Sequence, residues 1–320
     1  AQAVVDDLQG AVYTVYKVTR RERRRRPAPP FTTSTLQQEA SRKLGFTAKR
    51  SMAVAQALYE GKDVGGGERV GLITYMRTDS VSVAESAQSE ARELILERYG
   101  ETYAPARPPQ YEARAKGAQE AHEAIRPTSV RREPGSLKQY LKRDELRLYD
   151  LIWKRFIASQ MAPAILDQTR VEILAGPAGK EKPYLFRASG SIIKFPGFLA
   201  VYEEGREAGE KEDEGAGVRL PPLKKDEGLD LIRLLPKQHF TKPPPRFSDA
   251  SLIRALEEYG IGRPSTYAPT LATLLQRRYV ERLNKVLIPT GVGFLVNDRL
   301  VEYFSGIVNV GFTADMEEKL

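Results

Sequence analysis

The sequence predicts a multidomain α+β protein with one β-rich domain and two helical ones. Three observations lead there. A chain of 320 residues exceeds what one hydrophobic core usually serves. A Val- and Tyr-rich segment near the start reads as a strand, and 164–200 as strands separated by Gly and Pro, whereas the stretches between and after them read with helical period. The changes of character fall at prolines: Pro27, Pro29 and Pro30, then Pro163, then Pro243–Pro245. The expected partition is 1–33 together with 163–236 as the β-rich domain, interrupted by a helical insert 34–162. Residues 237–320 then form a helical domain of winged-helix-like outline.

Residues 11–18 read as a strand, and the whole stretch 1–33 as strand-like. The run Arg20–Arg26 that follows has two readings, a solvated linker or a phosphate-contacting segment. Ser34 and Gln37 make the S-x-x-Q pattern of a capping box, and Gly45 stands where that helix should stop. Thr47 caps a second helix through Leu58. After a Gly-rich stretch, 70–74 reads as a short buried strand with Tyr75 at its end. Ser82 and Glu85 repeat the capping pattern and open a helix to Tyr99–Gly100. Residues 101–135 read as a long polar surface connection, and 144–159 as a strong amphipathic helix. Strands are expected over 164–200 and 229–235, with an acidic, Gly-rich loop at 203–217. Ser248 caps a helix through Glu258, Gly260–Pro264 turns, and Ser265 or Thr266 opens another helix through Arg277. Two short strands follow, at 279–280 and 285–288: helix, turn, helix, hairpin.

The absence of cysteine rules out disulfides, thiolate catalysis and cysteine-ligated zinc. Two histidines far apart in sequence cannot form a histidine-rich metal site. No apolar run is long enough for a membrane span, and the start lacks a signal-peptide pattern. A formal charge of +8 is compatible with a polyanionic partner. The missing Met at the start and an end in mid-helical pattern read as a piece of something longer.

Three segments carry chemistry. In residues 71–80, Tyr75 sits among Arg77, Thr78, Asp79 and Ser80. Such a polar cluster suits a phosphodiester, with the Arg77 fork and neighbouring hydroxyls as donors. A phenol, with an ordinary pKa of about 10, needs nearby positive charge or a base to act as a nucleophile. In residues 118–128, His122 and Arg126 would share a face if the segment were helical. In residues 260–267, two glycines permit close backbone approach, and Arg263 precedes a helix N-terminus, a natural phosphate position.

In order along nearly the whole chain, these segments resemble the type IA DNA topoisomerases. Residues 71–80 resemble their active-site tyrosine motif, and the match continues through 31–38, 119–128, 240–244, 246–280 and 312–317. Met76 after the tyrosine is similar to the bacterial branch. The resemblance implies a toroid in which the β-rich part is the arch, 34–162 the tyrosine-bearing domain and 237–320 part of a single-strand groove. It implies Tyr75 as nucleophile and Arg77 as its catalytic partner on the phosphate. His122, Arg126, Arg263, Thr78 and Asp79 are then DNA contacts. It implies single-stranded and negatively supercoiled DNA as substrate, a monomer, and a cytoplasmic, nucleoid-associated place. Mg2+ is implied for the whole enzyme, held by an acidic Toprim domain that has no counterpart here; ATP is not required. Without that domain the chain alone is expected not to relax DNA. The alternative is a non-catalytic single-stranded DNA-binding module. A tyrosine recombinase fits poorly because Tyr75 precedes His122 and Arg126, and a replication nickase needs clustered histidines.

Overall fold

The computed structural model describes residues 2–112, 122–179, 181–206 and 215–319. The parts of the motif at 118–121, of the polar connection at 113–121 and of the acidic loop at 207–214 lie outside the described residues. In chain order the elements are α1 (Gln2–Leu8), β1 (Val12–Arg25), α2 (Thr33–Glu39) with a π-helical turn over Ala40–Leu44, and α3 (Ala48–Tyr59). Then come β2 (Lys62–Asp63), β3 (Arg69–Val70), α4 (Glu85–Tyr99), α5 (Arg143–Ser159), β4 (Ala164–Gly176), β5 (Tyr184–Phe195) and β6 (Gly228–Leu229). The last part holds α6 (Asp249–Glu258), α7 (Tyr267–Gln276), β7 (Val280–Leu283), β8 (Val286–Pro289), α8 (Gly291–Phe304) and α9 (Val310–Lys319).

The chain divides into two compact units. The first comprises Ala1–Arg26, Pro163–Gly197 and Gly209–Pro244; the second comprises Pro27–Ala162, Phe198–Ala208 and Pro245–Leu320.

The first unit is built on an antiparallel sheet of order β5-β4-β1-β6. Residues 2–8 are helical rather than strand-like, and Leu8 packs with Tyr13 and Ala175 at the centre of a small core. The arginine run is not a linker: β1 continues through Arg25, with Arg20 opposite Thr169 and Arg25 opposite Ala164. A bulge makes this possible. Val15 pairs with Ile173 and Lys17 with Glu172, so Tyr16 has no partner across the ladder. Tyr13 and Val15 therefore face the core with Ile173 and Ala175, and beyond the bulge Val18 takes over that face opposite the fully buried Val171. The strand expected over 229–235 is reduced to Gly228–Leu229, opposite Thr14 and Tyr13. Downstream, Ile232 is 95% and Leu235 60% exposed; with no apolar cover to reward pairing, the chain leaves the sheet.

In the second unit the helix starts differ from expectation where a hydroxyl is used elsewhere. Thr32, not Ser34, caps α2: its side chain accepts from the Thr35 amide, and the Thr35 hydroxyl accepts from the Thr32 amide at 2.9 Å. The Ser34 hydroxyl instead donates to Glu257 of α6 at 2.5 Å. The α4 helix begins at Glu85 because the Ser82 carbonyl accepts the Ala124 amide at 2.8 Å. Gly45 (φ 69°) ends the π turn in the left-handed region, and Thr47 caps α3, as expected. The amphipathic α5 buries Leu148, Tyr149, Ile152, Phe156 and Ile157, and donates from Trp153 Nε1 to the Val130 carbonyl at 2.9 Å. Ile253 of α6 packs with Tyr267, Ala268 and Leu271 of α7 and Ala48 of α3. The β7–β8 hairpin closes through Asn284 (φ 49°) and Lys285 (φ 69°), the paired positive φ of a tight two-residue turn.

A buried ionic network braces this unit. The Arg155 side chain, 3% exposed, donates to the Pro29 carbonyl at 2.6 Å and to Glu204 at 3.0 Å, and lies over the Phe31 ring. Its Nη1 also approaches the Tyr202 hydroxyl at 3.4 Å, and that hydroxyl donates to the buried Glu39. Glu39 further accepts from Arg42 at 3.2 Å and from the Gly205 amide at 3.0 Å. Burial foremost pushes the Tyr202 phenol above its ordinary range; Arg155 opposes that rise and the Glu39 carboxylate adds to it.

Candidate active site

Tyr75 stands on a backbone that is tied down on both sides. Upstream, the Leu72 amide donates to the Leu58 carbonyl at 2.9 Å and the Leu72 carbonyl accepts from Thr128 at 3.0 Å. The Thr74 amide donates to the Arg126 carbonyl at 2.9 Å, and its hydroxyl to the Ala124 carbonyl at 2.6 Å. Ile73 bridges to Pro127 and Ile125 to Phe31, so 122–128 runs extended beside the tyrosine segment. His122 and Arg126 do not share a helical face: the expected helix is replaced by these pairings. Downstream, the Thr33 hydroxyl donates to the Met76 carbonyl and accepts the Thr78 amide, each at 2.8 Å. Met76, Thr78 and Ser80 are buried, which turns Tyr75 and Arg77 outward, with Asp79 half-exposed.

The Tyr75 ring is 40% exposed and flanked by two others. Tyr59, at the end of α3, meets it edge-on with centroids 5.4 Å apart; His122 lies tilted at 6.1 Å. Sequence reasoning named His122 and missed Tyr59, whose only signal was its place just before the Gly-rich stretch. Arg77 lines a recess of about 240 Å³ with Lys49 and Met52 of α3 and with Pro264, Ser265 and Ala268. The third motif is thereby brought to the first. Lys49 also went unnamed in the sequence, where nothing marks an isolated helix lysine, and Thr33 lay in the matched stretch 31–38 without a site role.

The other named residues are placed less directly. Thr78 is 1% exposed and its hydroxyl accepts the Ser80 amide at 3.0 Å, so it works within the loop and not at the surface. The Arg126 guanidinium, half-buried, pairs with Glu123 at 2.6 Å and donates to the Pro127 carbonyl at 3.1 Å. Arg263 pairs with Glu317 of α9 at 3.2 Å, and the same carboxylate accepts the Gly262 amide at 2.8 Å. Gly260 (φ 72°) and Gly262 (φ 85°) give this turn its left-handed corners. Asp79 lies within electrostatic reach of the buried Tyr267 phenol. Burial foremost pushes that phenol above its ordinary range, Glu257 and Asp79 add to the rise, and Arg263 opposes it.

Gly71 marks how tightly the segment is held. A Cβ there would stand 2.9 Å from the Tyr59 carbonyl oxygen. Gly71→Ala is therefore expected to destabilise the chain by about 1–3 kcal/mol and to shift the Tyr59–Tyr75 contact. Urea unfolding and the ring NMR shifts check this; unchanged stability with unchanged shifts would show that the segment has slack.

A solvent-facing phenol, an imidazole beside it and an arginine on the same outward run can attack and hold a phosphodiester. Among the described residues no three carboxylate or histidine side chains converge as metal ligands. The Asp79 and Glu123 carboxylates near the site, the second paired with Arg126, do not fit a magnesium site on their own.

A family model described as DNA topoisomerase matches residues 1–320. The chain is 51% identical over 312 residues to DNA topoisomerase 1 of Xylella fastidiosa strain 9a5c, covering 98% of this chain and 38% of that protein. It is 48% identical over 320 residues to DNA topoisomerase 1 of Rickettsia prowazekii, covering 100% of this chain and 40% of that protein. Among solved structures, full-length topoisomerase I of Thermotoga maritima superposes with a TM-score of 0.81 at 37% identity, covering 100% of this chain and 50% of that one. The chain thus spans about two-fifths of the length of the curated relatives it matches.

Proposed function

The chain belongs to the bacterial type IA DNA topoisomerase family, and on that premise we propose that Tyr75 cleaves and reseals one DNA strand. The Tyr75 oxygen attacks a backbone phosphorus; the bond to the 3′ oxygen breaks, giving a 5′-phosphotyrosyl ester and a free 3′-hydroxyl. The phenol gives up its proton as the leaving oxygen gains one. After a second strand passes through the gap, the hydroxyl attacks the ester and releases Tyr75. The ester conserves the energy of the broken bond, so negatively supercoiled DNA relaxes without ATP.

The observation that carries this reading is the outward Tyr75 ring beside His122, on a run whose next outward side chain is Arg77. Arg77 holds the scissile phosphate and stabilises the charge that grows on its oxygens. His122 contacts the neighbouring backbone. Arg126 and Arg263 join when DNA phosphates replace Glu123 and Glu317 as their partners. The whole protein works as a monomer in the cytoplasm at the nucleoid. Its magnesium is held by an acidic Toprim domain outside this chain, and no step above runs through the metal. Among the described residues, no helix is long and apolar enough to cross a membrane.

The test uses the full-length enzyme that contains this chain. After denaturing quench with a 3′-labelled single strand, peptide mapping should find the DNA phosphate on Tyr75; an adduct on any other residue overturns the assignment. The 320-residue chain alone, with magnesium, should leave a supercoiled plasmid unrelaxed, and relaxation by it would refute the need for a separate acidic domain. A non-catalytic single-strand-binding role is the reading left if the full-length enzyme forms no adduct.

A further inference from the structure

We propose that the outer face of the four-stranded sheet is a docking surface for the backbone of double-helical DNA. This goes beyond strand cleavage and rests on geometry in the first unit alone. Residues paired across the ladder share a face. Lys17, Arg21 and Arg23 of β1 therefore stand on the same face as Arg170 of β4 and Arg187 of β5. All five are exposed. Among the described residues of these paired strands, the carboxylate on this face is Glu172, which lies 3.7 Å from Arg187.

The opposite face is mixed. Arg20, Arg24 and Lys194 are there balanced by Glu22 and Asp167, and Lys194 pairs with Glu22. Charges that served only to keep a sheet edge from pairing with another chain would need no such sorting between faces. Here the excess of cations over carboxylates falls on one side. Alternate residues along a strand stand about 6.7 Å apart, so Arg21 and Arg23 form a row with Lys17 on the same line. The Arg21 guanidinium is held along the sheet by a 3.4 Å hydrogen bond to Gln168.

The remaining side chains opposite 17–23 on this face are Gln168, Leu166, Ser189, Ser191 and Ile193, with no aromatic ring among them. Single-strand binders use such rings to stack bases. A cationic face without them suits phosphates whose bases remain paired, which is the duplex.

The experiment compares the 320-residue chain with the triple variant Arg21→Gln, Arg23→Gln, Arg170→Gln. Binding to a blunt 20-base-pair duplex and to a single strand of equal length is measured over a range of salt. Duplex affinity is expected to fall about tenfold or more, and the slope of log affinity against log salt to flatten by about 0.9 per lost phosphate contact. Single-strand affinity should hold within about twofold. A second variant with Lys at the same three positions keeps the charge and should restore duplex binding. Unchanged duplex affinity and slope overturn the proposal. An equal or larger loss for the single strand overturns the commitment to duplex. Failure of the Lys variant to restore binding shows that the loss came through folding and not charge, and also overturns it. Cleavage is not read, so failure here and failure of the Tyr75 assignment are distinguishable.

Discussion

Tyr75→Phe in the full-length enzyme should lower plasmid relaxation by about 10³-fold or more while single-strand binding stays within about twofold. The size of the loss follows from removing one atom that nothing nearby replaces. Phe keeps the ring, and with it the edge contact to Tyr59 at 5.4 Å and the tilted contact to His122 at 6.1 Å. The anchors at Leu72, Thr74 and Met76 involve backbone or other side chains, so the loop should hold its shape. Melting temperature should therefore be unaltered. Rates from agarose gels and adducts from denaturing gels check the outcome. A Phe variant that still traps covalent DNA would remove Tyr75 from the chemistry.

The largest effect on stability is expected from Arg155→Met, about 3 kcal/mol by urea unfolding of the second unit. The pair with Glu204 accounts for little of it, because that carboxylate is 47% exposed and screened by water. The cost lies in what is left behind. The Pro29 carbonyl loses its donor at 2.6 Å, and the Tyr202 hydroxyl loses the cation beside it. Buried Glu39 keeps Arg42 and the Gly205 amide but loses the Arg155 charge relayed through Tyr202. The contact over the Phe31 ring, 4.8 Å to its centroid, goes as well. Arg155→Lys should recover only part of the loss, since an ammonium cannot bond Pro29, Tyr202 and Glu204 as a planar fork does. A loss under about 1 kcal/mol for the Met variant would mean that water enters and serves these groups.

The helices were legible from sequence where a cap and a stop stood on either side of an apolar stripe. Thr47 before α3, Gly100 after α4 and Ser248 before α6 are all in place. Legibility failed where a side chain had a distant partner. Ser34 fits a capping box, yet its hydroxyl is committed to Glu257, and only the tertiary structure says so. The arginine run looked like a linker because its cross-strand partners lie some 150 residues away: Arg20 pairs with Thr169. Within the site, the alternation of Met76, Thr78 and Ser80 with Tyr75, Arg77 and Asp79 was on the page, and it sets which side chains face outward. The neighbours that local sequence could not supply were Tyr59, Thr33 and Lys49. Each reaches the site from another element; Tyr59 and Lys49 carry no motif, and Thr33 lies in the matched stretch 31–38 without a role assigned to it.

The unpaired Tyr16 divides β1 into two halves whose inward positions are out of phase: odd numbers before it, even numbers after it. Losing this one residue would leave every rung of the ladder intact, because the strand would simply straighten. Gaining or losing a residue a few places further on would exchange the two sides beyond it and move Arg21 and Arg23 onto the face that Val18 shares with Val171. Length differences among descendants of this strand should therefore collect at position 16 and be absent from 18 to 24.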